Sequence, residues 1–292
     1  LMFGLMVLCG HSAENALILT LTTCSTGGMG SASSAVISAE LAGDELFCCI
    51  FMMLSAISFP LYARLISEEF SAIRRNSEFK AYLILIAAAS AMIMVANGLY
   101  FKGEKGLWDL LSESVFQVIS FNSTTGLTNA DVAAWPGFSR HVLWLLSFCG
   151  ACSVSTGSGI KLIRIVLIFK LIRRSLFKRI HPRAVIALRM DGKPVSDDVC
   201  IKATGFVLLY ILAFILGVFA LSFCAPDMET AFYGAGALLS NVGTSFGVIG
   251  GEAAYDFLNS FGRIAACLLM LAGRLEICAL LLPFSKQQNK TA

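Results

Sequence analysis

The amino-acid sequence predicts an all-α polytopic membrane protein in which one structural unit repeats along the chain. Hydrophobic residues make up 57% of the sequence and charged residues 14%, whereas soluble domains contain about 25% charged residues. Apolar runs of a length that crosses a lipid bilayer recur along the chain. Three short polar segments centred on glycine interrupt these runs in the same way. Together these observations favour a chain embedded in a membrane.

Five apolar runs have about the 20 residues that a helix needs to cross the hydrocarbon core of a bilayer. They cover 46–65, 81–99, 142–172, 203–223 and 257–282. The first nine residues form a shorter apolar run without the basic flank and small-residue cleavage site of a signal peptide. We interpret this run as the end of a sixth span, and we expect the sequence to be a fragment whose N-terminal part is missing.

Charged residues predict which side of each span faces the cytoplasm. The segment 161–193 contains ten of the 22 lysines and arginines and one acidic residue, Asp191. Connections on the other side are rich in acidic residues, among them Asp109, Asp131 and Glu229. Because basic loops stay in the cytoplasm, 161–193 is predicted to be cytoplasmic. The acidic outer face would attract cations.

A polar turn with a glycine appears three times in equivalent surroundings. The turns are CSTG at 24–27, STTG at 123–126 and SNVG at 240–243. Each follows a helix-like stretch too short to span (13–22, 109–121 and 228–239), and each precedes a longer apolar run. Glu14 lies 13 residues before Gly27, as Glu113 does before Gly126. We therefore expect a unit of span, half-membrane helix, polar turn and span, with Gly27, Gly126 and Gly243 equivalent.

Three such turns predict a pore for a cation. Irregular backbone at membrane depth occurs where it is buried in protein or lines a water-filled cavity, so we expect the turns to share one axis. Backbone carbonyls and hydroxyls can replace the water around a potassium ion, and the C-terminal ends of the half-helices add partial negative charge. The alternative is that the segments are ordinary loop tips. The predicted ion-binding residues are Ser25, Thr26, Gly27, Thr124, Thr125, Gly126, Asn241, Val242 and Gly243.

These segments resemble the TrkH/KtrB/HKT superfamily of potassium transporters. Members consist of four fused span–pore-loop–span units, as in potassium channels. The segments CSTGGM (24–29), NSTTGLT (122–128) and SNVGTSFG (240–247) resemble the filters of the second, third and fourth units. Two further matches are GACSVSTGSGIKLIR (150–164) and HPRAVI (181–186), and the latter indicates the TrkH branch. The resemblance implies that 1–75, 76–195 and 196–292 are three pore repeats and that the first repeat is absent.

The resemblance also implies a gate below the filter. Small polar residues at 149–159 interrupt the run 142–172, which either allows close helix packing or forms an intramembrane loop that obstructs the pore. Arg274 lies deep in the last span, where a charge is costly. It either snorkels, pairs structurally with Glu276 or faces the pore. The implied gate residues are Gly150, Ser153, Ser155, Thr156, Gly157, Ser158, Gly159 and Arg274.

The resemblance implies a potassium uptake subunit of a bacterial inner membrane, which is a plasma membrane. Potassium is the transported ion, with sodium as the alternative, and we expect no bound cofactor. The expected partners are the lipid bilayer, a second copy of the chain and a cytosolic nucleotide-binding regulatory subunit similar to TrkA. We expect no nucleic-acid binding, because the basic stripe at 170–178 lies against the membrane, where anionic lipid accounts for it.

Two other functional classes were weighed against a pore. A carrier with alternating access also uses broken helices, but carrier repeats are commonly inverted, whereas the three turns here follow their helices in the same direction. An enzyme would need a convergent catalytic set, and none of the three histidines lies in a polar turn. Cys149 and Cys152 form a CxxC motif, which we interpret as two small packing residues in a Gly/Ser-rich segment rather than a redox or metal site.

Overall fold

The computed structural model describes residues 1–28, 44–68, 73, 75–103, 105–183, 187–244, 246, 255 and 257–277. Helices form nearly all of the regular structure in these residues. They are α1 Met2–Leu8, α2 Ala13–Cys24, α3 Asp44–Ser55, α4 Phe59–Ile66, α5 Ser77–Phe101, α6 Leu107–Ser123, α7 Gly137–Cys149, α8 Leu162–Ile180, α9 Asp197–Ser222, α10 Met228–Leu239 and α11 Ser260–Arg274. Two short antiparallel strands, β1 Arg189–Met190 and β2 Lys193–Pro194, pair Arg189 with Pro194. The prediction of an all-α membrane protein is confirmed.

Two predicted spans are continuous helices. Among the described residues, α5 and α9 are long and apolar enough to cross a membrane by themselves. The side chain of Asn76 accepts a hydrogen bond from the backbone N–H of Phe79 and so caps the start of α5. Leucine, isoleucine and valine side chains remain exposed along both helices. Such side chains suit contact with lipid.

The run 46–65 is a bent pair rather than the straight span that the sequence predicted. Helices α3 and α4 meet at 93°. Pro60 lies in the first turn of α4, where a missing N–H costs nothing. In the interior of one continuous helix the same proline would remove a backbone hydrogen bond and break the helix. The carbonyl groups of Ser55 and Ala56, freed at the end of α3, accept hydrogen bonds from Thr156 and Cys152. The break is therefore stabilised by the polar segment 150–161.

The run 142–172 is broken, as predicted. Helix α7 ends at Cys149, α8 begins at Leu162, and the residues between them are not helical. The half-helices α2, α6 and α10 contain 12, 17 and 12 residues, too few to cross a bilayer. Helix α11 begins the last predicted span, whose end after residue 277 lies outside the described residues.

Two of the half-helices, α6 and α10, are surrounded by other helices. Helix α6 packs against α3, α5 and α7, and α10 packs against α9 and α11. One hydrophobic cluster around α6 includes Tyr82, Phe116 and Leu143, and a second cluster around α10 includes Tyr210 and Leu239. Burial of α6 and α10 places the C-terminal ends of these two half-helices inside the protein, whereas α2 has several exposed residues and packs against α1 and α3. The three-repeat boundaries at 75 and 195 stay a prediction.

Candidate functional site

The three polar turns share one backbone conformation. Each turn has a non-glycine residue in the left-handed region just after its half-helix and a glycine with positive φ two residues later. The pairs are Thr26 (54°) and Gly28 (66°), Thr124 (60°) and Gly126 (76°), and Asn241 (55°) and Gly243 (79°). In each turn the residue between them donates its N–H to the carbonyl five residues earlier, at 2.8 to 3.0 Å. The turns are thus structural copies of one another.

This geometry corrects the register of the first turn. The backbone equivalent of Gly126 and Gly243 is Gly28, whereas Gly27 is equivalent to Thr125 and Val242. The spacing from Glu14 and Glu113 was misleading because the two glutamates differ in surroundings. Glu113 pairs with Lys105 at 2.6 Å, while Glu14 is exposed in the first turn of α2. Two adjacent glycines left the register open, and only the backbone angles decide it.

Neighbouring turns touch through their backbones. A Cβ atom added to Gly28 would lie 1.8 Å from the carbonyl oxygen of Thr125, and one added to Gly126 would lie 1.9 Å from that of Val242. The hydroxyl of Thr244 donates to the carbonyl of Gly126 at 2.5 Å. The first turn therefore contacts the second, and the second contacts the third. Glycine is required at these contacts because no side chain fits.

Two of the turns line one cavity with Arg274. The cavity has a volume of about 830 Å³. Its walls include Ser25, Thr26 and Gly27 of the first turn and Asn241, Val242 and Gly243 of the third. The predicted residues Thr124 and Thr125 of the second turn are fully buried and do not line it. The structure thus brings six of the nine predicted ion-binding residues to one cavity.

The segment 150–161 packs directly against the turns. The N–H of Ser158 donates to Oγ1 of Thr124 at 2.9 Å, and the hydroxyl of Thr26 donates to the carbonyl of Thr156 at 3.1 Å. Gly150 and Gly159 have positive φ and approach each other so closely that a Cβ on Gly150 would lie 2.3 Å from the carbonyl oxygen of Ser158. The predicted loop is therefore a closed structure held against the turns.

The guanidinium group of Arg274 connects this loop to the first turn. It donates to the carbonyl oxygen of Thr156 at 2.8 Å, to the hydroxyl of Ser158 at 3.2 Å and to the carbonyl oxygen of Ser25 at 3.2 Å. Glu276, the structural partner considered from sequence, instead binds Arg164 at 2.9 Å. Arg274 therefore places a positive charge between loop and turn.

Two charged residues at the loop were missed by the sequence analysis. Nζ of Lys161 donates to the carbonyl oxygen of Gly157. Glu78, in the first turn of α5, is 3% exposed and accepts hydrogen bonds from Ser153. Lys161 could have been noticed four residues after Gly157. Nothing in the sequence connects Glu78 with a residue 75 positions later.

The N-terminal end of α10 carries an exposed carboxyl group, that of Asp227. The backbone N–H of Thr230 donates to Oδ1 of Asp227 at 2.6 Å, and this hydrogen bond holds the pKa of Asp227 below its ordinary value. The side chain is exposed and stays negative near neutral pH. A negative charge at this end of the half-helix attracts cations. No group of three or more potential metal-ligating side chains occurs in the part of the chain that the structure describes.

The fold and the turns define a helical multi-pass membrane protein built from span–pore-loop–span units. A family model described as TrkH, cation transport protein, matches residues 108–292. The Trk system potassium uptake protein TrkH of Halomonas elongata is 32% identical over 280 residues, covering 94% of this chain and 57% of that protein. The chain belongs to the TrkH family, which confirms the resemblance seen in the sequence.

Other relatives agree in sequence and structure. TrkH of Escherichia coli K12 is 27% identical over 283 residues, with 94% of this chain and 57% of that protein covered. The crystal structure of the potassium transporter TrkH from Vibrio parahaemolyticus matches with a TM-score of 0.89 at 27% identity, covering 98% of this chain and 61% of that one. The chain thus spans about three-fifths of the length of these relatives.

Proposed function

We propose that this chain is the ion-conducting part of a membrane potassium uptake system. The observation that most directly supports this proposal is that three turns with the same backbone conformation are in direct backbone contact, Gly28 with Thr125 and Gly126 with Val242. The relatives are named as Trk system potassium uptake proteins, which supports potassium as the ion. Sodium is the alternative ion. In this proposal the chain is a transport protein and not an enzyme.

The ion would bind to backbone oxygens of the turns. Carbonyl dipoles of moderate strength replace the hydration water of potassium without the tight grip of a carboxylate. The half-helices α2, α6 and α10 end at the turns, so their C-terminal dipoles favour a cation there. The proposed binding residues are those predicted from sequence, with Gly28 added because its backbone matches that of Gly126 and Gly243.

The loop 150–161 and Arg274 would form the gate. The loop closes against the turns through Ser158 and Thr156, and Arg274 binds both loop and turn. A fixed guanidinium repels a potassium ion 8 Å away by about 2 kcal/mol at an effective dielectric constant near 20. That energy slows passage more than tenfold. Opening would therefore move the loop, the arginine or both.

The assembly that we propose contains more than this chain. Family membership supports a second copy and a cytosolic nucleotide-binding subunit similar to TrkA, on the side where the basic segment 161–193 lies. The host membrane would be the bacterial inner membrane. An alternating-access carrier is less well supported, because the three turns have the same direction and the same backbone.

The test is ion flux through the protein as the cell makes it, purified and reconstituted in lipid vesicles. We expect K⁺ to pass faster than Na⁺. Gly126→Ser should lower the K⁺ to Na⁺ flux ratio about tenfold or more. A Cβ at this position would clash with the carbonyl oxygen of Val242 and displace one coordinating group. A loss of about 1.4 kcal/mol in the preference for K⁺ corresponds to that factor. Absence of K⁺ flux, or an unchanged ratio in this variant, would overturn the proposal.

A further inference from the structure

A buried carboxyl group, that of Glu78, binds the loop 150–161 at a residue that Arg274 does not contact. The two oxygens of Glu78 accept hydrogen bonds from the backbone N–H of Ser153 at 2.5 Å and from its hydroxyl at 2.8 Å. The side chain is 3% exposed. Both carboxyl oxygens therefore accept hydrogen bonds from the same loop residue.

The loop beside this contact has a strained backbone. Val154 has a φ of 54°, which is a genuine outlier for a β-branched residue. Such a conformation persists only where the surroundings hold it. Here Glu78 binds Ser153, the preceding residue, and the carbonyl of Val154 itself accepts the N–H of Phe59 at 3.0 Å. Loss of the carboxyl contact would let the strained segment relax away from its closed position.

The hairpin of β1 and β2, which the sequence predicts to be cytoplasmic, reaches the same helix turn. Oδ1 of Asp191, in the tight turn between β1 and β2, accepts the backbone N–H of Ser77 at 2.7 Å. Ser77 immediately precedes Glu78. Nζ of Lys170 on α8 donates to the carbonyl of Arg189 in the hairpin at 3.0 Å. The hairpin is therefore bonded both to the helix that carries Glu78 and to the helix that follows the loop.

We propose that Glu78 is a positioning residue that keeps the gate loop closed, and that the hairpin at 189–194 acts on it through Asp191. The inference rests on the proposed function only in treating the loop as an obstruction to ions. Displacement of the hairpin removes the cap from Ser77 and disturbs the first turn of α5. The carboxyl group of Glu78 then loses its alignment with Ser153, and the loop is released.

Cys152 offers a native probe of this release. It adjoins Ser153 and is fully buried in the loop. In the protein as the cell makes it, the rate at which a maleimide modifies Cys152 can be measured by peptide mass spectrometry. Glu78→Ala should raise this rate about tenfold or more, the factor expected for losing both hydrogen bonds to Ser153. Ser153→Ala should raise it about threefold, because the backbone contact remains.

The chain contains a matched control for the charge change. Asp198 also lies in the first turn of a long span, but it binds Lys202 and has no described hydrogen bond to the loop. Asp198→Ala should leave the labelling of Cys152 unchanged. Glu78→Gln, which keeps the shape and one acceptor, should restore most of the protection lost in Glu78→Ala. Asp191→Ala should raise the labelling rate by a factor between those of Ser153→Ala and Glu78→Ala.

Labelling and flux together separate this inference from the proposed function. If folded Glu78→Ala and Ser153→Ala proteins both label at the wild-type rate, the proposal that Glu78 keeps the loop closed is refuted. Lower thermal stability without faster labelling would likewise assign Glu78 a structural role only and refute it. If labelling rises as expected while the wild-type protein conducts no K⁺, the role of Glu78 in holding the loop is supported and the proposed function fails. Faster labelling with increased K⁺ flux supports both.

Discussion

Alanine in place of each of the two adjacent glycines of the first turn tests the register of the filter. At Gly28, alanine must adopt a φ of 66°, which costs about 1–2 kcal/mol for a residue with a Cβ. Its Cβ would also lie 1.8 Å from the carbonyl oxygen of Thr125, so the two turns must separate by roughly 1.5 Å to reach contact distance. The displaced carbonyl is one that we propose to coordinate the ion.

Gly27 is the matched control, because its φ is not positive and its Cβ would meet only the rotatable hydroxyl of Ser25, at 3.2 Å. We expect Gly28→Ala to lower the K⁺ to Na⁺ flux ratio at least tenfold, equivalent to about 1.4 kcal/mol, and Gly27→Ala to change it less than threefold. The assay is flux of both ions into vesicles at equal protein content. The opposite ranking, with Gly27→Ala the more damaging variant, would refute the corrected register.

Three further changes probe the gate and its supports. Arg274→Ala should increase cation flux more than tenfold with a nearly constant K⁺ to Na⁺ ratio, since it removes a repulsion of about 2 kcal/mol and leaves the turns intact. Recovered protein with no gain in flux would mark a structural arginine. Deleting Ser153 to Ser155 should raise flux in vesicles, because it removes part of the obstruction, and a fall or no change would mean that the segment only packs. Arg164→Lys should lower the free energy of unfolding by about 1 kcal/mol. Lysine keeps the charge that pairs with Glu276 but loses the guanidinium contact with Phe206, in which Cζ lies 3.8 Å from the ring centroid. Denaturation in detergent measures this change, with Lys202→Arg as an exposed control.

The sequence predicted the elements that depend on local pattern. The spans α5 and α9 follow from uninterrupted apolar residues, and the half-helices follow from short apolar stretches that end at polar turns. The bend at 55–59 was missed because Pro60 lies in an apolar run that is long enough to span. A proline can begin a helix or interrupt one. The hydrogen bonds that join the loop to Ser55, Ala56 and Phe59, which the sequence does not show, favour the break here.

The site was less predictable than the fold, because its contacts join distant parts of the chain. Gly27 and Gly28 have equal propensities, and the position of Thr125 decides which of them needs to be glycine. Glu78 resembles any acidic residue at the start of a helix. Its role depends on Ser153, which reaches it only after the run 142–172 breaks and turns back.

The carbonyl groups at the bend between α3 and α4 make the gate sensitive to hydration. When the loop is closed, Thr156 and Cys152 satisfy the oxygens of Ser55 and Ala56. A loop that moves away leaves both oxygens without donors at a depth where each unpaired backbone group costs several kcal/mol. Water must enter to replace the lost donors. If the loop is the gate, as we propose, the conducting form is a hydrated form, and solutes too large to enter the pore should favour closure by drawing that water out.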